Sequence, residues 1–153
     1  MAPATAMNEA ILSAMLPGTW QLLSRIDITA GERRSEPSLG DDPHALLIYD
    51  RSGHFSAQFM RRDRSGDVPD GPSGAKNNSR AQGGYDAYFG TYTVDDESST
   101  VTQHLLGALS RESVGAVLTR AMDVQGDTLV IRLETTAADG TAVLRTLTWQ
   151  RVG

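Results

Sequence analysis

The sequence predicts an all-β fold, an antiparallel up-and-down β-barrel of about eight strands with a short N-terminal helix. Three observations predict it. From Trp20 onward apolar residues recur with a period of two, the spacing of strands with one buried face. Turn chemistry returns along the chain, at Asp50-Arg51-Ser52-Gly53, Asp95-Asp96-Glu97, Gly126-Asp127 and Asp139-Gly140. A chain of 153 residues without cysteine is long enough for one core that needs no disulfide.

The elements follow in order. Residues 7–16 read as a helix, with Ile11, Leu12, Met15 and Leu16 forming an apolar stripe, Asn8 as N-cap, and Pro17-Gly18 as the stop. In the first strand Trp20, Leu22, Ser24, Ile26 and Ile28 share one face, while Gln21, Leu23, Arg25 and Asp27 share the other. A polar loop runs from Gly31 to Pro43. Strands from Ala45 to Tyr49 and from His54 to Met60 form a hairpin. Residues 61–84 are nearly devoid of apolar side chains and read as a flexible loop or lid. Tyr85 to Phe89 is expected to form one helical turn ending at Gly90. Strands follow from Thr91 to Val94, Val101 to Ala108, Val117 to Val124, Leu129 to Thr135 and Val143 to Gln150, with a turn around Ser110 to Ser113. The expected organisation is a single domain over residues 1–153.

Composition narrows the function. A net charge of −5 gives no global attraction to polyphosphate, so no nucleic-acid partner is expected. Arg61, Arg62 and Arg64 alternate with Asp63 and Asp67 and read as a solvated loop. No apolar run approaches a membrane span, so no membrane partner is expected. Met1 to Met7 has no basic residues ahead of an apolar run, which predicts no secretory signal. With the lack of cysteine, this makes a cytoplasmic location the expectation. His44, His54 and His104 share no short motif, so no metal is expected. The sequence contains no phosphate loop, dinucleotide fingerprint or Gly-x-Ser-x-Gly elbow, and no cofactor is expected.

Several side chains have the chemistry of a site. His104 shares a strand face with Thr102 and Leu106, and an imidazole can take or give a proton, which suits a general acid or base. The plainer reading is a histidine held by a cross-strand hydrogen bond. Tyr49, Tyr85, Tyr88 and Tyr92 combine apolar bodies with polar tips, suited to an aromatic or polyketide-like ligand, or simply to core and rim packing. Gln58 shares a face with Ser56 and Met60, either a ligand lining or the solvent face, with Phe55, Ala57 and Phe59 opposite. Arg120 lies with Leu118, Met122 and Val124, where a charge must be paired or bind an anion. Arg145, between Val143 and Leu147, poses the same alternative.

Separated blocks of the chain resemble a known family. Leu16-Pro17-Gly18-Thr19-Trp20, Leu47-Ile48-Tyr49 and Gly53-His54-Phe55-Ser56-Ala57-Gln58 carry the resemblance, which is strongest at Tyr85 to Val94. It resumes at Val101-Thr102-Gln103-His104, Val114-Gly115, Arg120 and Leu147-Thr148-Trp149-Gln150-Arg151. The chain thus resembles the bacterial and fungal lipocalin-like domain family from residue 16 onward. The resemblance implies a barrel closed at one end by Trp20 with Arg151 stacked on it, and a functional site at the opposite end. One departure stands out. Similar proteins carry an Ala- and Glu-rich helix before the aromatic block, whereas here the stretch is rich in Gly, Ser and Asn, which favours a mobile lid over a helical one.

The resulting expectation is a barrel that binds a small, largely apolar molecule (polyketide-, terpenoid- or aromatic-like) beneath a flap formed by residues 61–84. Tyr49, Ser56, Gln58, Met60, Tyr92, Thr102 and Met122 are its expected contacts. The alternative is a cofactor-independent isomerase, cyclase or dehydratase. There His104 is the acid or base, Tyr88, Tyr92 or Gln58 holds the oxyanion, and Arg120 orients an acidic group. A third reading is a homodimeric accessory barrel without ligand, which an exposed apolar patch would favour.

Overall fold

A computed structural model of the protein describes residues 11–153. Of the expected helix, the described residues form one turn, α1 (Leu12–Met15), and residues 7–10, with the proposed cap Asn8, lie outside them. Pro17-Gly18 ends the turn as its chemistry requires.

Period-two patterning then yields β1 (Gly18–Thr29), β2 (Glu32–Arg34), β3 (His44–Tyr49), β4 (His54–Met60), β5 (Tyr85–Asp95), β6 (Thr100–Ala108), β7 (Val117–Gln125), β8 (Thr128–Thr136) and β9 (Ala142–Arg151). A 3₁₀ turn, Arg111–Ser113, joins β6 to β7. From β3 to β9 every strand pairs antiparallel with the next, and β1 pairs with both β3 and β9. Eight strands thus close the barrel. β2 was not anticipated within the Gly31 to Pro43 loop. It folds back on the end of β1 through Ala30 and Gly31, both at positive φ.

Two expectations about strand faces are corrected. A β-bulge between Leu22 and Ser24 inserts one extra residue in β1 against β9. The inward set is therefore Trp20 and Leu22, then Arg25 and Asp27, not the Ser24, Ile26 and Ile28 of uninterrupted alternation. In the second case Tyr85 to Phe89 is extended rather than helical. It pairs with β4 from Met60↔Tyr85 to Ser56↔Phe89, burying Asp86 and Tyr88. Paired edges on both sides outweigh the helical preference of so short a stretch.

One end of the barrel is sealed. Trp20 is fully buried, its indole N–H donates to the Leu16 carbonyl at 3.0 Å, and the Arg151 guanidinium lies 4.2 Å from its ring centre. Arg151 also donates to the Pro17 carbonyl at 3.0 Å, which ties the turn after α1 to the last strand. A Cβ on Gly18 would collide with this guanidinium, and Gly18 has φ +148, so glycine is needed on both counts. Trp20, Trp149, Tyr49, Val101, Leu118 and Leu129 form the driest part of the core. Each large apolar side chain buried there contributes roughly 1.5–3 kcal/mol.

The other end is splayed. β1 pairs with β3 only over Gly18 to Gln21, and β7 pairs with β8 only over Ala121 to Gln125. The β2–β3 loop brings Glu36, Ser38 and Leu39 to the cavity at this end. The 61–84 segment fills the gap between β7 and β8. The Asn77 amide donates to the Thr119 and Glu134 carbonyls at 3.0 and 3.3 Å and accepts from the Thr119 N–H at 2.8 Å. Asn77 sits at φ +56, a conformation asparagine tolerates well. Among the described residues no helix is long and apolar enough to cross a membrane.

Candidate functional site

A cavity of about 370 Å³ opens at the splayed end, opposite Trp20. Its floor is apolar: Leu47, Phe59, Ile131, Leu133, Leu147 and Trp149. Its wall and mouth carry Arg25, Asp27, Glu36, Asp86, Tyr88, Gln103, Arg120 and Arg145, with Pro72, Ser79 and Ala81 contributed by the 61–84 segment.

The bulge in β1 builds one side of the mouth. Because it turns Arg25 and Asp27 inward, Asp27 meets Arg145 of β9 in a two-pronged pair at 2.7 and 2.9 Å. Arg25 meets Glu36 at 3.2 Å. Burial opposes ionisation of Asp27, but the Arg145 hydrogen bonds and the nearby arginines outweigh it and hold the carboxyl below its usual range. Glu36 is likewise held low, because Arg25 and the Ser38 hydrogen bonds overcome its desolvation. Burial, with the like charge of Arg145, brings Arg25 down to about 10.

The opposite side is different in kind. Arg120 is 4 % exposed, and its Nη1 donates to the carbonyls of Asn77 and Thr119 at 2.9 and 3.2 Å. Among the described residues, Arg25 and Arg145 have carboxylate partners and Arg120 has none within ion-pair distance. Burial lowers its pKa, with the Tyr88 hydroxyl beside it acting in the other direction. Burial also raises the Tyr88 phenol. Two residues before Tyr88 on the same face, Asp86 accepts a 2.5 Å hydrogen bond from the Ser79 hydroxyl. Burial pushes the Asp86 carboxyl up to about 6 against that hydrogen bond. Three buried polar atoms lack a partner among the described residues, Asp86 Oδ1, Gln103 Oε1 and Trp149 Nε1, and all three belong to residues that line the cavity.

The residues expected from the sequence separate into three groups. Tyr88 and Arg120 line the cavity. Tyr49 and Met122 face inward but are packed in the core outside the lining, and Tyr49 accepts from Gln103 Nε2 at 2.5 Å. Tyr92 stacks edge-on against Tyr49 and donates to the Asp50 carbonyl at 2.5 Å, at the sealed end.

His104, Ser56, Gln58, Met60 and Thr102 stand on the outer face, a correction to their expected roles. β4 buries Phe55, Ala57 and Phe59, which turns Ser56, Gln58 and Met60 outward. β6 buries Val101, Gln103 and Leu105, which turns Thr102 and His104 outward. His104 is exposed and pairs across from Val117. Nearby, Phe89, Leu106 and Val117 form exposed apolar surface on the same outer side.

Sequence reasoning missed Arg25, Asp27, Glu36 and Asp86. The alternation of β1 concealed the first two because a bulge has no reliable composition signal. Asp86 did carry a signal, a lone carboxylate between Tyr85 and Tyr88 in a segment otherwise apolar.

A family profile described as a lipocalin-like domain matches residues 17–152. No curated protein matches the chain.

Proposed function

The chain belongs to the lipocalin-like domain family, and from that premise we propose that it binds one small, largely apolar organic molecule inside the barrel, of polyketide-, terpenoid- or aromatic-like character. The observation that carries this reading is the cavity of about 370 Å³ at the splayed end, with its apolar floor. Pockets for small ligands run from roughly 300 to 1,000 Å³ and combine apolar lining with a few polar groups. The ligand buries its body against Leu133, Ile131 and Trp149 and leaves its polar groups at Tyr88, Gln103 and Arg120. Residues 61–84 serve as the flap, since they cover the mouth and plug the gap between β7 and β8. The chain acts as one domain in this reading, and a reducing cytoplasm accords with its lack of cysteine. The test is native mass spectrometry with the neutral probe N-phenyl-1-naphthylamine. The expected result is saturation at one probe per chain, lost when Leu133→Trp fills the cavity. Absence of a saturable complex, or binding that Leu133→Trp leaves intact, contradicts the reading.

A second reading, cofactor-free proton transfer by an isomerase, cyclase or dehydratase, is favoured by one observation. Asp86, a buried carboxyl raised to about 6, shares the cavity wall with Tyr88 and Arg120. Such a group takes and returns a proton near neutral pH, while the phenol and guanidinium stabilise an oxyanion. The acid–base role moves from His104, which faces outward, to Asp86. The exposed Phe89, Leu106 and Val117 support a homodimer as the third reading.

A further inference from the structure

The barrel interior contains three buried arginines, and the fold treats them unequally. Arg145 has Asp27, and Arg25 has Glu36. Arg120 has two backbone carbonyls, both bonded through Nη1. Its side chain also lies beside the Tyr88 hydroxyl, a neutral partner, and no carboxylate among the described residues stands within ion-pair distance of it. Arg120 is also one of the residues that line the cavity.

A buried guanidinium held by neutral acceptors alone is an expensive arrangement. The carboxylates of the opposite wall do not relieve it, since Asp27 and Glu36 are engaged by other arginines. The Asp86 carboxyl, also buried, accepts from Ser79 rather than from Arg120. Tyr88, the neighbour of Arg120, is an un-ionised phenol because burial raises its pKa. Among the described residues no carboxylate completes the guanidinium fork.

Resting on the binding reading above, we propose that Arg120 is the receptor for an anionic head group, so that the ligand is an organic acid whose apolar body lies on the cavity floor and whose carboxylate meets the Arg120 guanidinium. The planar fork suits a carboxylate in two parallel charge-assisted hydrogen bonds. The Tyr88 hydroxyl, alongside, adds a donor to the same oxygens. Arg120 would then tie the ligand to the flap, because the same guanidinium already holds the Asn77 carbonyl.

The experiment is displacement of N-phenyl-1-naphthylamine by decanoate and by decan-1-ol, which share one chain and differ in the head group. Wild-type protein should prefer the acid about ten-fold or more, the equivalent of one charge-assisted hydrogen bond. Arg120→Met should remove the preference, bringing decanoate and decan-1-ol to equal affinity relative to the neutral probe, and Arg120→Lys should restore part of it. Equal affinity of acid and alcohol in the wild type overturns the proposal, as does a preference that survives Arg120→Met. If Arg120→Met loses the neutral probe as well, the wild-type preference decides alone. Failure of the wild type to bind the neutral probe refutes the underlying cavity reading instead.

Discussion

The carbonyl of Asn77 accepts a hydrogen bond from Arg120 Nη1 at 2.9 Å, so the segment that covers the barrel mouth is fastened to a buried cation in the cavity wall. The Asn77 side chain at the same time bridges β7 and β8 where those strands no longer pair. Asn77→Gly keeps the positive φ accessible and removes only these side-chain bonds. We expect it to cost about 1–3 kcal/mol in urea unfolding. It should also speed release of N-phenyl-1-naphthylamine in stopped-flow measurements. Unchanged release would mean that the ligand does not pass this segment.

Asp27 and Arg145 form the tightest ion pair of the mouth. Asp27→Asn leaves Arg145 and Arg25 buried without that carboxylate and should destabilise the fold by roughly 3–5 kcal/mol. Asp27→Leu combined with Arg145→Met should recover most of the loss, because no charge is then stranded. A double-mutant cycle in urea measures the coupling.

Stability should depend on pH with two opposite signs. Asp27 and Glu36 are held below their usual ranges, so the stability they confer is present at neutral pH and is lost as pH falls through their folded pKa values. Asp86 behaves in reverse. Between about pH 4 and about pH 6 the native protein keeps a proton that the unfolded chain has released, so stability falls as pH rises through that window. The Asp86 contribution is on the order of 2–3 kcal/mol. Asp86→Asn should flatten that decline in thermal melts taken across the window.

If Asp86 transfers protons, a bound ketone should exchange its α-hydrogens. Wild-type protein in D₂O should exchange the α-protons of α-tetralone faster than buffer alone, as followed by ¹H NMR. The rate should rise with pH through about 6, as Asp86 ionises. Asp86→Asn should abolish the acceleration without weakening N-phenyl-1-naphthylamine binding, and His104→Ala should leave it untouched.

Much of the barrel was legible in the sequence because its signals are local. Alternation and turn residues located the strands of the meander, and Trp20 with Arg151 marked the sealed end. The site was harder to read because inward and outward faces depend on pairing. In β4 the expected contacts Ser56, Gln58 and Met60 lie on the outer face, because Phe55, Ala57 and Phe59 take the interior. In β1 one bulged residue reversed the face of everything after Leu22. His104 drew attention by its chemistry, yet burial of Gln103 beside Tyr49 fixed its outward direction. Asp86 was hidden by the expectation of a helical turn, since a helix would not have aligned it with Tyr88.

The central claim is that the ligand lies inside the barrel, and methyl-resolved NMR during titration with N-phenyl-1-naphthylamine tests it most directly. The methyl signals of Ile131, Leu133 and Leu147, which line the cavity, should shift and saturate together. Those of Leu106 and Val117, exposed on the outer face, should not move. Shifts confined to Leu106 and Val117 would place the apolar binding surface outside the barrel and contradict the account.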